Sequence, residues 1–425
     1  MSPFPSSLAG RRLAGRRRPR ALGLVVSALV LVAAACGSSA KSATSGSSTT
    51  AAGVAATTGG TGGGSCTSPA GTSGPGVGAS TVGFIYVGAT TDFGYNEAAH
   101  AGEQALKAAC PNIKFLEADE IPETSNMVTV ANQMIGQGAK IIFSTSYGYE
   151  PYAVTLAKAN PTVAFLQQGN LITPPVAPNI NTYFGDVWQT VYLGGMAAAK
   201  ASTSGKLGFV AAFPIPQTIV NIDAFELGAQ SVNPKVTTTV VFTGAWCDPA
   251  MQAQATTSLL GQGVDVMTQH QDCTSTVIKT AEAAGAYTVG YHYDAQSLAP
   301  KGWLTGSEWN WGPLYTAMVK SILAGTFSGG PFNTNYTLGF TSTTIPSPLT
   351  LAPFGPSVSG ATKALIDTAK GKIQAGTFDP FTGPITDQAG TVRIPGGQTA
   401  TADQLSAICY LVKGVIGTVP SCTTS

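Results

Sequence analysis

Aromatic, acidic and amide side chains recur where apolar segments of this sequence end. The segment TTDFGYNEAAHAG (90–102) follows the apolar run TVGFIYVG, and it carries two aromatic rings, an acid and an amide between Asp92 and Asn96. Loops usually carry small polar residues, because these satisfy turn geometry and face water at little cost. The composition of this loop therefore indicates contact with a ligand.

Later apolar runs end in the same kinds of residue. They are followed by Ser146, Tyr147 and Tyr149; Trp246 and Asp248; His270 and Asp272; Tyr291, His292 and Asp294; and Trp309, Asn310 and Trp311, while His100 lies one turn into the first helix. Aromatic faces with carboxylates and amides between them suit a flat, uncharged molecule with polar edges, such as a purine. We select these as candidate ligand-binding residues: Asp92, Tyr95, Asn96, Tyr147, Trp246, Asp248, His270, Asp294 and Trp309.

The apolar runs that precede these residues are typical of buried strands. Runs at 81–88, 113–119, 139–146 and 162–169 alternate with longer Ala-rich amphipathic stretches. Short apolar runs followed by helices of ten or more residues favour a parallel sheet covered on both faces. Ligands of such sheets bind outside the carboxyl ends of the strands, which is where the candidate residues fall.

The pattern pauses at LITPPVAPNINTYFGD (171–186) and then repeats, which predicts two similar lobes. The second series of strands lies at 206–213, 236–244, 264–270 and 287–294, and later helices are expected near 312–324, 361–374 and 401–412. The fold class is α/β, with a doubly wound parallel sheet in each lobe. We assign 81–186 with part of 305–350 to lobe 1, and 187–304 with 351–425 to lobe 2.

The N-terminus has the layout of a secretory signal peptide, over residues 1–35. Six arginines precede a fifteen-residue apolar stretch, which is shorter than the roughly 20 residues of a spanning helix. The small residues before Cys36 resemble a bacterial lipobox, which implies cleavage before Cys36 and a diacylglycerol on its sulfur. Residues 36–80 are nearly all Gly, Ser, Thr and Ala, and predict a flexible tether. We expect a protein anchored by lipid to the extracytoplasmic face of the cell membrane.

The other six cysteines lie in exported sequence, where disulfides persist. Fifteen connectivities are possible. Cys247 with Cys273 is the first choice, because each follows a strand of consecutive βαβ units. Cys409 and Cys422 flank a short C-terminal turn and are the second expected pair. Cys66 and Cys110 are then left as the third pair by elimination.

Charge and motifs exclude several classes of function. Charged residues make up 10% of the chain and the net charge is +1, so nothing indicates a nucleic-acid partner. No nucleophile elbow, P-loop or HExxH motif occurs, and no His pair has the spacing of metal ligands. We therefore expect no enzyme, no cofactor and no metal.

Several long stretches together resemble the basic membrane protein family of ABC-transporter substrate-binding lipoproteins, which includes purine nucleoside receptors and purine-binding proteins. The resemblance is carried by VGFIYVGATTDFGYNEAAHAG, YFGDVWQTVYLGGMAA, GAWCDPAMQAQATTSLLGQGVDVMTQHQDC, GYHYDAQSLAPKGWLTGSEWNWGPLY and YLVKGVIGTVP, which span roughly 80 to 420. It implies a two-lobed periplasmic-binding-protein fold of the first type, with a small-molecule ligand in the cleft and an ABC permease as partner. We expect a monomer.

The resemblance also implies roles for individual residues. The first-loop motif falls on Asp92, Tyr95 and Asn96, the second stacking ring on Trp246, and an acid that contacts a sugar hydroxyl on Asp294. The stretch from Trp309 to Trp311 stands where nucleoside-binding members often have a basic residue for the ribose. A free base such as adenine is thus as plausible a ligand as a nucleoside.

Several candidates also have a structural explanation. Asp92 and Asn96 are good helix caps, Tyr95 can pack at a lobe edge, and Trp246 and Trp309 can be core aromatics; for Tyr147 the two readings are evenly balanced. The alternative functions are a binding protein for a sugar or another small polar solute, or a ligand sensor.

Overall fold

The computed structural model of the chain describes residues 66–169, 171–341 and 345–422. The expected signal peptide, the lipidation site Cys36 and the tether as far as residue 65 lie outside the described residues. Among the helices described, none is long and apolar enough to cross a bilayer.

Strands and helices alternate along most of the described chain. The strands are β1 (Thr81–Tyr86), β2 (Lys114–Ala118), β3 (Ile141–Thr145), β4 (Ala164–Gln168), β5 (Ile180–Gly185), β6 (Lys206–Ala211), β7 (Thr237–Phe242), β8 (Val266–His270), β9 (Tyr287–Gly290), β10 (Trp303–Trp309), β11 (Asn335–Leu338), β12 (Leu349–Leu351), β13 (Ile385–Thr386), β14 (Val392–Ile394) and β15 (Val415–Ile416). The helices are α1 (Tyr95–Ala109), α2 (Asn126–Gly136), α3 (Glu150–Ala159), α4 (Trp188–Ala201), α5 (Pro216–Val232), α6 (Pro249–Gly261), α7 (Ser275–Ala283), α8 (Gly312–Leu323), α9 (Gly360–Gln374) and α10 (Ala402–Ser406).

The strands form two large sheets with the same internal order. The first sheet runs β11-β5-β4-β3-β1-β2 and the second β12-β10-β9-β8-β6-β7-β15, while β13 and β14 form a separate hairpin. Pairing is parallel throughout the first sheet, and in the second only β12 runs antiparallel, against β10. The predicted two-lobed α/β fold with doubly wound parallel sheets is confirmed.

Burial explains why these apolar runs became strands. Every residue of β1, β3, β4 and β5 is buried, because helices cover both faces of the first sheet. In each sheet the chain order reverses beside the first strand of its lobe, at β1 and at β6. Such reversal points place the loops that follow neighbouring strands around one crevice.

The chain returns to each lobe after leaving it. Helix α4 packs on α5 and β10 in lobe 2, and α8 packs on α1 in lobe 1. Strand β11 then joins the first sheet and β12 the second. The lobes are therefore joined by several crossing segments.

Seven strands, β5 and β10 to β15, were not anticipated from the sequence, and one helix is shorter than expected. Strand β5 lies within the Pro-rich stretch 171–186, where the alternating pattern pauses, and the other six lie beyond the last predicted strand at 287–294. A capping box of Thr401 and Gln404 starts α10, but the helix ends at Ser406 rather than near residue 412. The chain turns away there, because Asp223 of α5 accepts the backbone N–H of Val412 at 2.9 Å.

The described part of the expected tether, residues 66–80, is packed against lobe 1. Cys66 is only 3% exposed and forms a disulfide with Cys110. Asn112 donates a hydrogen bond to the Cys66 carbonyl at 2.9 Å, and the Gly78 N–H donates to Ser68 Oγ at 2.7 Å. Composition indicates flexibility here because apolar side chains are few, but a covalent link and local hydrogen bonds order these residues.

The six cysteines of the folded region form three disulfides. Cys66 is bonded to Cys110, Cys247 to Cys273 and Cys409 to Cys422, with Cα–Cα distances of 5.3, 5.3 and 5.6 Å. Cys247 and Cys273 follow β7 and β8, the two neighbours of β6. Their loops therefore meet at the same end of the second sheet.

Candidate functional site

A small cavity lies between the two lobes at the carboxyl ends of their strands. Lobe 1 contributes Tyr95, Ser146, Tyr147 and Phe184, and lobe 2 contributes Gln217, Trp246, His270, Asp272 and His292. These residues follow strands on both sides of the reversal points in each sheet. The site is thus placed where doubly wound folds bind ligands.

The two lobes touch each other directly beside this cavity. The backbone N–H of Tyr95 donates to the carbonyl of Asp272 at 3.1 Å, and that of Thr274 donates to the carbonyl of Asp92 at 3.3 Å. The Thr274 hydroxyl also donates to the carbonyl of Phe93 at 2.5 Å. The structure is therefore a closed form, in which the first loop of lobe 1 is bonded to the loop after β8.

Phe93 adds apolar packing to this contact. Its ring packs against a cluster of lobe 2 that includes Ile278, Ala295 and Trp303. Its backbone has φ of +55°, a left-handed conformation that is uncommon for a non-glycine residue. Phe93 therefore packs against lobe 2 and is not among the residues that line the cavity.

Glu123 and Trp246 form a polar bridge across the cleft. The Trp246 Nε1–H donates to Glu123 Oε2 at 3.3 Å. The other carboxylate oxygen of Glu123 accepts the Ser146 hydroxyl at 2.5 Å and the Gly148 N–H at 2.7 Å. Lobe 1 thus fixes the carboxylate, and the indole of lobe 2 reaches it across the cleft.

Asp272 is the acceptor group of the cavity. It is 6% exposed, and its carboxylate accepts no hydrogen bond from the residues that the structure describes. Burial raises its pKa well above the ordinary value, and the charges of Asp92 and Glu123 raise it further. A buried carboxyl without a partner is costly, so a ligand donor would stabilise it.

Two buried histidines line the lobe 2 side. Burial lowers the pKa of His270 to about 3 and that of His292 well below its ordinary value, so both rings are neutral. His270 Nδ1 lies 3.0 Å from Asn221 Nδ2, and Asn221 also donates to the Tyr291 hydroxyl at 2.8 Å. His292 Nδ1 accepts the Trp309 indole N–H at 2.7 Å.

Of the nine residues selected from sequence, the structure places four on the cavity wall: Tyr95, Tyr147, Trp246 and His270. Tyr95 comes from the start of α1, and Trp246 from the loop after β7. The Tyr95 ring packs edge-on against His292 at 5.0 Å, and Trp246 packs edge-on against Phe213 at 5.0 Å. Aromatic surface therefore reaches one cavity from both lobes.

Asp92 and Asn96 organise the start of α1 rather than the wall. Asp92 accepts the backbone N–H groups of Gly94 at 2.8 Å, Asn96 at 3.1 Å and Glu97 at 3.0 Å, together with the Asn96 amide at 2.8 Å. Asn96 in turn accepts the Gly88 N–H at 3.1 Å. Burial raises the pKa of Asp92 to about 6, although these hydrogen bonds favour its charged form. Capping of α1 accounts for the backbone contacts of Asp92, and Asn96 in addition ties the helix to the loop after β1.

The structure does not bring the remaining three selected residues to the cavity wall. Asp248 caps α6 by accepting the Met251 N–H at 3.0 Å. Asp294 accepts the Gln296 N–H at 3.0 Å and borders a separate surface depression in lobe 2. Trp309 is 4% exposed and lies behind His292.

The wall also contains residues that were not selected from sequence. Asp272 and His292 follow β8 and β9, so they lie at strand ends, where ligand-binding residues are expected. Nothing in the sequence distinguishes them as better candidates than Asp248 or Asp294. Glu123 belongs to the loop after β2, which carries no aromatic residue to draw attention to it. Phe184 and Gln217 belong to β5 and α5, elements that the sequence pattern left undefined.

One cluster with metal-ligand chemistry lies outside the cleft. His100, Glu103 and Glu117 bring their ligand atoms within 4.8 Å of one another. Lys107 lies among them, 3.1 Å from Glu103 and hydrogen-bonded to Glu117. The ammonium group already supplies the positive charge that a cation would bring to these carboxylates.

Known proteins resemble this chain in both sequence and fold. It is 32% identical to a purine-binding protein of Brucella abortus over 340 residues, which cover 80% of this chain and 93% of the relative. It is 28% identical to a putative ABC transporter glucose-binding protein of Haloferax volcanii, over 71% of this chain and 73% of the relative. A solved ABC transporter solute-binding protein from Aeropyrum pernix superposes with a TM-score of 0.60 at 16% identity, over 77% of this chain and 95% of that structure.

The family itself is also identified. Residues 79–336 match the family described as ABC transporter substrate-binding protein PnrA-like. The matched segment covers most of lobe 1 and β6 to β10 of lobe 2, including every residue of the cavity wall. The chain therefore belongs to the PnrA-like family of ABC transporter substrate-binding proteins: it binds a small molecule for an ABC permease and is not an enzyme.

Proposed function

We propose that this protein captures a purine base or nucleoside in the cleft between its lobes. The observation that carries the proposal is the cavity wall, where Tyr95 of lobe 1 and Trp246 of lobe 2 present aromatic surface beside the unpartnered carboxylate of Asp272. Purines stack on aromatic rings and have ring and exocyclic N–H groups at their edges. The purine-binding relative from Brucella abortus supports the same ligand class.

The charge of the cavity wall favours a base over a nucleoside. No Lys or Arg is among the described residues that line it. A purine base needs no basic partner for ribose hydroxyls.

The binding free energy requires contacts from both lobes. Two stacking faces contribute about 1 to 3 kcal/mol each, and two charge-assisted hydrogen bonds about 1.5 to 3 kcal/mol each. The gross sum of roughly 5 to 12 kcal/mol must also cover the cost of association, and micromolar binding needs about 8 kcal/mol net. Either lobe alone supplies about half of these contacts, so closure of the lobes is part of binding. The closed form is then what the permease can recognise as the loaded protein.

A thermal-shift panel tests the ligand class. Adenine, adenosine and guanosine are compared with glucose and other sugars, since a ligand that binds only the folded state raises its stability. We expect the largest shift with a free purine base. A shift with sugars and none with any purine would favour the second candidate, a sugar-binding protein, which the glucose-binding relative from Haloferax volcanii supports.

We also propose that the protein is a monomeric receptor at the extracytoplasmic face of the cell membrane. A lipid on Cys36 anchors it there. The arginine-rich, apolar N-terminus and the small residues before Cys36 support it. A Cys36→Ser variant should appear in the soluble fraction of the producing cells or their medium, and the parent should carry a diacylglycerol mass on its first residue. A parent protein that is found unmodified and soluble would contradict the anchor.

A further inference from the structure

We infer that His292 is a specificity-determining hydrogen-bond donor whose tautomer is fixed by Trp309. In consequence the cleft selects ligands that present a lone pair, on a ring nitrogen or a carbonyl oxygen, to His292 Nε2. This inference rests on the proposed function, because it concerns the ligand in the same cleft. It assigns a selecting role to His292 and a positioning role to Trp309.

The hydrogen bond between the two rings determines where the proton of His292 lies. Trp309 Nε1 is 2.7 Å from His292 Nδ1. An indole N–H can only donate, so Nδ1 must hold a lone pair, and a neutral imidazole then carries its proton on Nε2. Burial, together with the neighbouring His270, lowers the pKa of His292 and keeps the ring neutral.

Packing and a backbone hydrogen bond fix the position of Trp309, so its indole N–H can determine the tautomer of His292. It is stacked on Trp311, with ring centroids 4.6 Å apart and planes 19° from parallel, and Phe184 packs edge-on against it at 5.1 Å. The backbone N–H of Trp309 also donates to the carbonyl of His292 at 3.1 Å. Two hydrogen bonds therefore join these residues, one through the backbone and one through the side chains.

The opposite nitrogen of His292, a residue of the cavity wall, has no hydrogen-bond partner among the described residues. The residue is 1% exposed. Its backbone φ of +72° is a strained conformation for a residue other than glycine, and such strain clusters at functional sites. A buried donor without a partner gains the most from a ligand acceptor.

The cavity thus has complementary polar groups for the edge of a ligand. His292 offers an N–H donor, and Asp272 offers carboxylate oxygens. A site that is built to hydrogen-bond one group rejects an analogue that lacks it, because its own buried polar group is left unpaired. Replacing the ligand nitrogen that faces His292 by C–H should therefore weaken binding by about 10-fold or more.

The test compares adenine with analogues in which each ring nitrogen in turn is replaced by C–H. The parent protein should bind one of these analogues about 10-fold more weakly than adenine or worse. Trp309→Phe, which keeps the ring but removes the N–H, should reduce that discrimination to less than about 3-fold. His292→Gly, which tolerates the positive φ but has no donor, should abolish it. His292→Asn should retain part of it, because Asn also adopts this conformation and its amide can donate.

A direct spectroscopic measurement accompanies the titrations. The chain has only 3 histidines, so ¹⁵N-histidine NMR resolves the tautomer of each imidazole. We expect His292 to carry its proton on Nε2 in the parent and to become a mixture of tautomers in Trp309→Phe. A parent with the proton on Nδ1 would overturn the inference, and so would a Trp309→Phe protein that keeps both the tautomer and the discrimination. Failure of every purine to bind the parent would contradict the proposed function instead, and the NMR result would still decide the tautomer.

Discussion

The backbone of Gly94 lies against the carbonyl of Asp272 in the opposite lobe. A Cβ atom added to Gly94 would lie 1.7 Å from that carbonyl oxygen, while the next residue, Tyr95, donates its N–H to the same oxygen at 3.1 Å. Only a residue without a side chain permits this approach. The closed form of the cleft thus depends on glycine at this position.

Gly94→Ala should therefore impair closure without disturbing either lobe. We expect ligand affinity to fall by at least about 10-fold, because the apparent affinity falls with the fraction of protein that can adopt the binding form. Calorimetric titration measures this change. Gly136→Ala is the matched control, since a Cβ at Gly136 meets nothing within 4 Å. Equal affinities of the two variants would show that contact at Gly94 is not needed for binding.

Trp246 should contribute more through its aromatic face than through its N–H. Trp246→Ala removes the proposed stacking surface, and we expect it to cost about 1 to 3 kcal/mol of binding free energy. Trp246→Phe keeps an aromatic face but loses the hydrogen bond to Glu123, and its loss should be smaller. Titration of both variants with the same ligand separates the two contributions. An alanine variant that binds within twofold of the parent would remove Trp246 from the site.

The burial of His270 should make stability depend on pH. Its pKa is lowered from 6.5 to about 3 in the folded protein, so between these values the unfolded chain binds a proton that the folded protein excludes. The folded state therefore loses stability as pH falls through this window, by at most about 1.4 kcal/mol per pH unit.

A His270→Gln variant tests this dependence, because it lacks the titrating ring. The parent should gain unfolding free energy relative to the variant as pH rises from about 3 to about 6.5. Urea denaturation at several pH values provides both free energies. A difference that stays constant across this range would mean that His270 is protonated in the folded state as readily as in the unfolded chain.

The disulfide beside the cleft should stabilise lobe 2. Cys247 and Cys273 are separated by 26 residues, and closing a loop of this length is expected to contribute about 3 to 4 kcal/mol through the entropy of the unfolded chain. A double Cys247→Ser and Cys273→Ser variant should show this loss in guanidinium denaturation. Loss of less than about 1 kcal/mol would contradict the entropic account.

The architecture could be predicted from the sequence, because strands and helices produce local patterns of apolar residues. Apolar runs such as 81–88 and 139–146 are buried on both faces, and they became β1 and β3 as predicted. Strand β5 was missed because it follows a Pro-rich stretch, and α10 stops early because tertiary contacts of the C-terminal segment override the helical pattern. Local periodicity carries no information about such contacts.

The site was predictable only in part, for a different reason. Strand ends identify where side chains meet, but not which way each one points. Asp248 and Asp272 both follow strands of lobe 2, yet one caps a helix and the other faces the cavity. Similarly, Trp309 and His292 are both strand-end residues, and only the three-dimensional structure places the imidazole in front of the indole.

Calorimetric titration of the mature chain with adenine tests the proposed ligand most directly. We expect one saturable site of micromolar or tighter affinity, with a negative heat-capacity change because apolar surface of both lobes is buried on closure. Glucose and adenosine, titrated in parallel, should bind more weakly. Saturable heat with glucose, and none with adenine, adenosine or guanosine, would contradict the account.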